Sequence, residues 1–303
     1  MCLIVALISD KIAFGKRYDK NPILKYFTAD DFGLTAEPVS AGKFLKGFIY
    51  RNPKKEDNGK VIIFCHGMGP GHIAYTTEIA YFCGLGYTVV AFDSKGCNFS
   101  GGKNIKGMYE GVKTATAAID FVRGRFANSP VYLVGHSWGA YSALCASYER
   151  KVNAVVAISA PTTPSQTMQK GAVNVGMPKF FAAILRPYWW LIALLKYGAK
   201  GNANAVKRAQ KNATPTLLIQ GDKDVIVPLE NSVYGKADGA HITKYLAKGK
   251  NHNPYNTENA EKLLGELSSK LSKRGDISDF DFTAATQEDK EVMTEISSFL
   301  DHN

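Results

Sequence analysis

The chain has 303 residues, 45% of them hydrophobic and 21% charged, which excludes a disordered or collagen-like protein and allows one large α/β domain with a small insertion. Its formal net charge of +10 is compatible with nucleic acid, an anionic surface or an acidic substrate, but no nucleic-acid-binding module accompanies the charge, so nucleic acid is not expected as a partner. Five cysteines, Cys2, Cys65, Cys83, Cys97 and Cys145, are odd in number and lack C-x-x-C spacing, and they read as reduced thiols of a cytoplasmic protein rather than as a disulfide framework or a zinc site.

The chain opens with MCLIVALISDKIAFGKR, whose apolar stretch is too short, and too soon interrupted by Asp10 and Lys11, for an export signal or a membrane span. Leu3, Ile4, Leu7, Ile8 and Ile12 fall at helical spacing, which predicts an amphipathic helix that either packs on the domain or touches a membrane surface. Residues 43–51 alternate and predict an antiparallel strand. Continuous apolar runs at 61–67, 87–93, 131–135, 154–159 and 214–221, with a further candidate at 241–247, suit a parallel sheet covered on both faces. Helical patterns separate the runs, so the expected fold is α/β, a doubly wound and mostly parallel sheet. Residues 160–213 exceed what a simple crossover needs and predict an inserted helical cap, with 1–159 and 214–303 forming the core. Two more helical stretches follow residue 256, and no role is assigned to 256–285.

The chemistry is signalled between the run at 131–135 and the helical pattern after it. Gly135-His136-Ser137-Trp138-Gly139 fits G-x-S-x-G in a strand–turn–helix setting. The turn is so tight that side chains two residues either side of the serine would strike neighbouring backbone, and glycine removes the clash. Ser137 is thereby presented at the carboxyl end of the sheet, where such sheets hold their sites. A serine hydroxyl needs a base to attack, and the base needs an orienting carboxylate. Asp222 and Asp224 follow the run at 214–221, and Asp224 is favoured by its place in the loop before Pro228, with Asp222 left to brace that loop. His252 follows the run at 241–247 and is the best base. Among the other histidines, His66 and His72 belong to an earlier loop, and His136 within the elbow is expected to point elsewhere. An oxyanion also needs preorganised N–H donors: the backbone N–H of Trp138 and that of Met68 in the loop His66-Gly67-Met68-Gly69-Pro70-Gly71 are the candidates. No metal or organic cofactor is called for.

Taken together, His66-Gly67-Met68-Gly69, Asp93-Ser94-Lys95-Gly96 before Ser100-Gly101-Gly102, Gly135 to Gly139, Gly221 to Pro228 and His252 resemble the α/β-hydrolase superfamily. Within it the chain is most similar to the monoglyceride-lipase and serine-aminopeptidase-like group, in which a helical cap follows the sixth core strand. The resemblance implies a serine hydrolase with Ser137, Asp224 and His252 as its triad. A serine nucleophile weighs against dehalogenase and epoxide-hydrolase chemistry.

Between Lys151 and Gly221 there is no Asp or Glu, while lysines and arginines are spread through the stretch. The absence of carboxylates argues against an aminopeptidase, because a free α-amine is usually held by acidic side chains. The segment FFAAILRPYWWLIALLKY at 180–197 is either a cap helix packed on the core or the wall of an acyl-binding tunnel with a cationic rim. The expected substrate is a small-molecule ester or acyl compound, lipid-like ones included, with peripheral membrane contact as an adjunct. Acyl transfer, thioester cleavage and peptide cleavage with the same triad remain alternatives, as does a binding protein on a hydrolase scaffold.

Overall fold

The apolar runs become the middle of one sheet. In the computed structural model, which describes Met1–Asn303, the strands are β1 (Thr35–Ala41), β2 (Leu45–Arg51), β3 (Val61–Cys65), β4 (Thr88–Phe92), β5 (Val131–His136), β6 (Ala154–Ile158), β7 (Thr216–Gly221) and β8 (Ile242–Ala247). They lie in the order β1-β2-β4-β3-β5-β6-β7-β8. Pairings β1–β2 and β2–β4 are antiparallel, and all others are parallel. Strands β3 to β7 are buried along their whole length, which is why they read as unbroken apolar runs rather than as alternation. β1 has no apolar signature: it is an edge strand, largely exposed, and carries Pro38, which an edge tolerates.

Successive strand residues point to opposite faces, so the core divides in two. Ile63 and Leu133 face a layer that includes α3 (Tyr109–Arg125) and α4 (Trp138–Glu149). Ile62 and Tyr132 face the other, built on α2 (Thr76–Gly84) and α10 (Lys290–Asp301).

Three helices lie between β6 and β7: α5 (Pro164–Asn174), α6 (Lys179–Tyr197) and α7 (Ala205–Lys211). Of these, α7 joins the core layer: Ala205 and Ala209 are buried there, and Arg208 donates to the Cys145 carbonyl at 2.9 Å. The outer pair, α5 and α6, forms a separate apolar cluster around Ala182, Leu185, Trp189 and Ile192, to which the N-terminal helix α1 (Cys2–Phe14) adds Ala6. α6 runs unbroken through Pro187, and no helix is long and apolar enough to cross a membrane. The stretch after 256 holds α8 (Glu258–Ser272) and α9 (Phe282–Ala285) before α10.

Candidate active site

The loops after β3, β5, β7 and β8 meet at one end of the sheet. Ser137 stands between β5 and α4 with φ 55 and ψ −116, a conformation that costs a non-glycine residue about 1–3 kcal/mol and persists only where its surroundings enforce it. The enforcement is steric. A Cβ on Gly139 would lie 1.9 Å from the Cys65 carbonyl oxygen, and one on Gly135 would lie 2.6 Å from the Gly139 backbone. Helix α4 therefore presses its first turn against the ends of β3 and β5, and the serine is turned outward.

The serine Oγ lies 3.0 Å from His252 Nε2, and His252 Nδ1 lies 2.8 Å from Asp224 Oδ2. A carboxylate can only accept, so Nδ1 carries the proton and Nε2 is free to accept from the hydroxyl. Asp224 is buried, and all its acceptor directions are used: Oδ1 accepts from the N–H groups of Ile226 and Val227, each at 2.8 Å, and Oδ2 also accepts from Gln220 Nε2 at 2.9 Å. Burial alone would raise its pKa, but the His252 ring and the two N–H groups outweigh burial and hold it below the ordinary value. Asp222 is exposed and accepts from Gly249 N–H at 2.7 Å, bracing the start of the His252 loop.

Trp138 opens α4, so its N–H has no intrahelical acceptor. The Met68 N–H, in the loop after β3, has no partner within the chain. The Trp138 ring is buried, donates to the Met108 carbonyl at 2.7 Å and packs edge-on to His66, which fixes the base of that loop.

His136 does not point away from the site, contrary to the sequence expectation. Its ring lies 4.9 Å from that of His252, and its Nε2 lies 2.9 Å from the His252 carbonyl oxygen. That acceptor requires a proton on Nε2, so Nδ1 is bare and accepts from the Tyr75 hydroxyl at 2.9 Å. The same hydroxyl accepts from Gly67 N–H at 3.0 Å. A chain of three hydrogen bonds thus joins the loop carrying Met68 to the loop carrying His252. Burial pushes the His136 pKa down to about 3, so the ring stays neutral and the directions of these bonds stay fixed. Ser159, at φ 54 just beyond β6, donates to the same His252 carbonyl at 2.9 Å. From the other side Lys250 binds Asp289 at 2.6 Å, and Glu261 of α8 accepts from Asn251 N–H at 3.3 Å, so the stretch after 256 helps to hold the loop. Tyr75, Ser159 and Gln220 had no sequence signal.

Comparison with known proteins bears on the fold around this arrangement. A family profile described as serine aminopeptidase, S33, matches residues 56–194, which include the elbow and the Met68 loop and end before Asp224 and His252. The fold is that of the α/β hydrolases. An esterase of Pyrococcus furiosus superposes on it with a TM-score of 0.61 at 19% identity, covering 85% of this chain and 98% of the esterase. The α/β hydrolase GrgF from Penicillium sp. gives 0.54 at 16% identity, covering 79% and 98%. A lidless α/β serine hydrolase from Xanthomonas campestris gives 0.51 at 18% identity, covering 82% and 95%. At these identities the likeness is one of fold. No curated protein matches the chain in sequence.

Proposed function

We propose that this α/β hydrolase cleaves carboxylic esters through an acyl-enzyme formed on Ser137. The observation that carries the reading is the unbroken line from Ser137 Oγ to His252 Nε2 and from His252 Nδ1 to Asp224 Oδ2, at 3.0 and 2.8 Å. His252 takes the hydroxyl proton as Ser137 attacks the carbonyl carbon, and Asp224 keeps the imidazole in the required tautomer and stabilises the imidazolium. The N–H groups of Met68 and Trp138 receive the oxyanion, each donor of this kind contributing about 2.7–4 kcal/mol. His252 then returns its proton to the leaving alcohol and activates the water that releases the acid.

Ester rather than aminopeptidase chemistry is supported by the cap, where no carboxylate occurs between Lys151 and Gly221 to hold a free α-amine. A cleft of about 330 Å³ between α5, α6 and the turn at 229–231 is lined by Lys170, Lys179 and Arg186 against a single acid, Glu230. None of those residues belongs to the proposed triad, and the cationic lining would suit esters whose anionic portion reaches from Ser137 to the cap, lipid-like esters among them. The test is an active-site-directed fluorophosphonate: the wild type is labelled on Ser137, and Ser137→Ala is not. An unlabelled wild type overturns the reading. Added alcohols or amines, by diverting the acyl group to new products, would instead reveal acyl transfer.

A further inference from the structure

Helix α1 is packed the unexpected way round. Apart from Phe14 at its C-terminal end, which enters the main core, the side it turns inward is small or polar: Ala6 is buried, Ser9 accepts from Trp189 Nε1 at 2.9 Å, and Asp10 pairs with Lys196 of α6. Its apolar stripe faces solvent, with Ile4 62%, Ile8 55% and Ile12 70% exposed. α6, which lies beside it, buries one stripe in the outer cluster and also leaves an apolar stripe in solvent, from Phe180 (71% exposed) through Ile184 and Leu191 to Leu195 (77%). Of the 23 large hydrophobic side chains exposed anywhere on the molecule, thirteen lie on α1 or between 175 and 195, so the exposed apolar surface is concentrated on these two neighbouring segments rather than scattered.

The charges beside it are of one sign. Lys179 and Arg186, seven residues apart, follow one margin of the α6 stripe, and Lys11 adjoins Ile12 on α1. The one carboxylate of α1, Asp10, is already held by Lys196, and the segment 151–221 has none. Two copies of this face brought together would oppose cation to cation, with only Glu230 of the adjoining cleft to relieve them. An anionic lipid surface would neutralise them and bury the apolar stripes together.

We propose that the outward faces of α1 and α6 are a docking surface for anionic membranes, with both helices lying in the plane of the interface. The inference goes beyond the ester reading and does not depend on it.

Flotation of the full chain with vesicles of phosphatidylcholine, with and without phosphatidylglycerol, tests it. The wild type should float with the phosphatidylglycerol vesicles, less so at high salt, and much less with phosphatidylcholine alone. Ile8→Glu with Leu191→Glu should lower the bound fraction by about tenfold or more, because two carboxylates replace apolar contacts at a negative surface. Its hydrolysis of a short soluble ester should match the wild type. Ile12→Glu with Leu195→Glu, one turn further along each helix, repeats the test if the first pair unfolds. Wild type that floats with neither vesicle, or variants that float as well as it does, would overturn the proposal. So would a wild-type dimer that the substitutions convert to monomer, which would assign the face to a second copy. Loss of ester hydrolysis in every protein alongside intact flotation would sink the ester reading alone.

Discussion

At the carboxyl ends of β5, β6 and β7 the buried polar groups are held, with Gln220 Oε1 the exception. Asp224 accepts four hydrogen bonds, the His252 carbonyl accepts two, and the Tyr75 hydroxyl joins Gly67 to His136. In the outer layer the accounting is reversed: α1 spends its polar side chains on α6 and leaves its isoleucines in solvent. A satisfied polar network fixes atoms to fractions of an ångström, which is what proton transfer needs. An apolar face left open fixes nothing within the molecule and is informative only about what comes to cover it. The first region explains chemistry without a partner, and the second requires one.

The sharpest way to break this contrast is at the proposed triad. Asp224→Asn should lower kcat by about 10⁴-fold on a soluble p-nitrophenyl ester, with the fold intact by circular dichroism, because the imidazole then loses its tautomer preference. Asp222→Asn should change kcat little, since Asp222 only braces Gly249. Equal losses would mean that the carboxylate assignment is wrong. Next in size is Tyr75→Phe. It strips the acceptor from Gly67 N–H and the donor from His136 Nδ1, and so uncouples the Met68 loop from the His252 loop. We expect kcat to fall by about 10- to 100-fold with KM nearly unchanged, as for loss of interactions realised mainly in the transition state. A change in KM alone would make Tyr75 a substrate contact instead.

How much of this could be read from the chain follows from the range of each constraint. The elbow was legible because its rule is local: the glycines and the serine lie within five residues, and the clash they avoid is with the adjoining strand ends. Asp224 and His252 were legible because an apolar run ending in a turn marks the rim of a parallel sheet. Tyr75, Ser159 and Gln220 were not, since a tyrosine in a helical pattern looks the same whether its hydroxyl meets water or a histidine on another loop. His136 was misread for the same reason. β1 was missed because an exposed edge strand needs no apolar face. Periodicity found both stripes of α1, but it states only that two faces differ, and the polar one turned out to be the packed one.

The smallest expected effect lies beneath the network. Glu78 and Glu288 sit near each other in the layer below His136, and Glu288 Oε1 is buried without a partner. Burial raises Glu78 to about 7, and burial together with the Glu78 charge raises Glu288 to about 8, both from an ordinary 4.5. Between 4.5 and these values the folded protein binds more protons than the unfolded chain, so their contribution to stability falls as pH rises across that window. His136 acts in the opposite sense: lowered from 6.5 to about 3, it costs stability as pH falls through that interval. Glu288→Gln keeps the neutral shape and removes the titration. Its melting temperature should equal that of the wild type near pH 4.5 and exceed it by a few degrees at pH 8, since each pKa unit corresponds to about 1.4 kcal/mol. A difference that does not grow with pH would show that Glu288 ionises freely where it stands. The layer under the site would then be wetter than its burial implies, and the contrast between a closed polar network and an open apolar face would weaken.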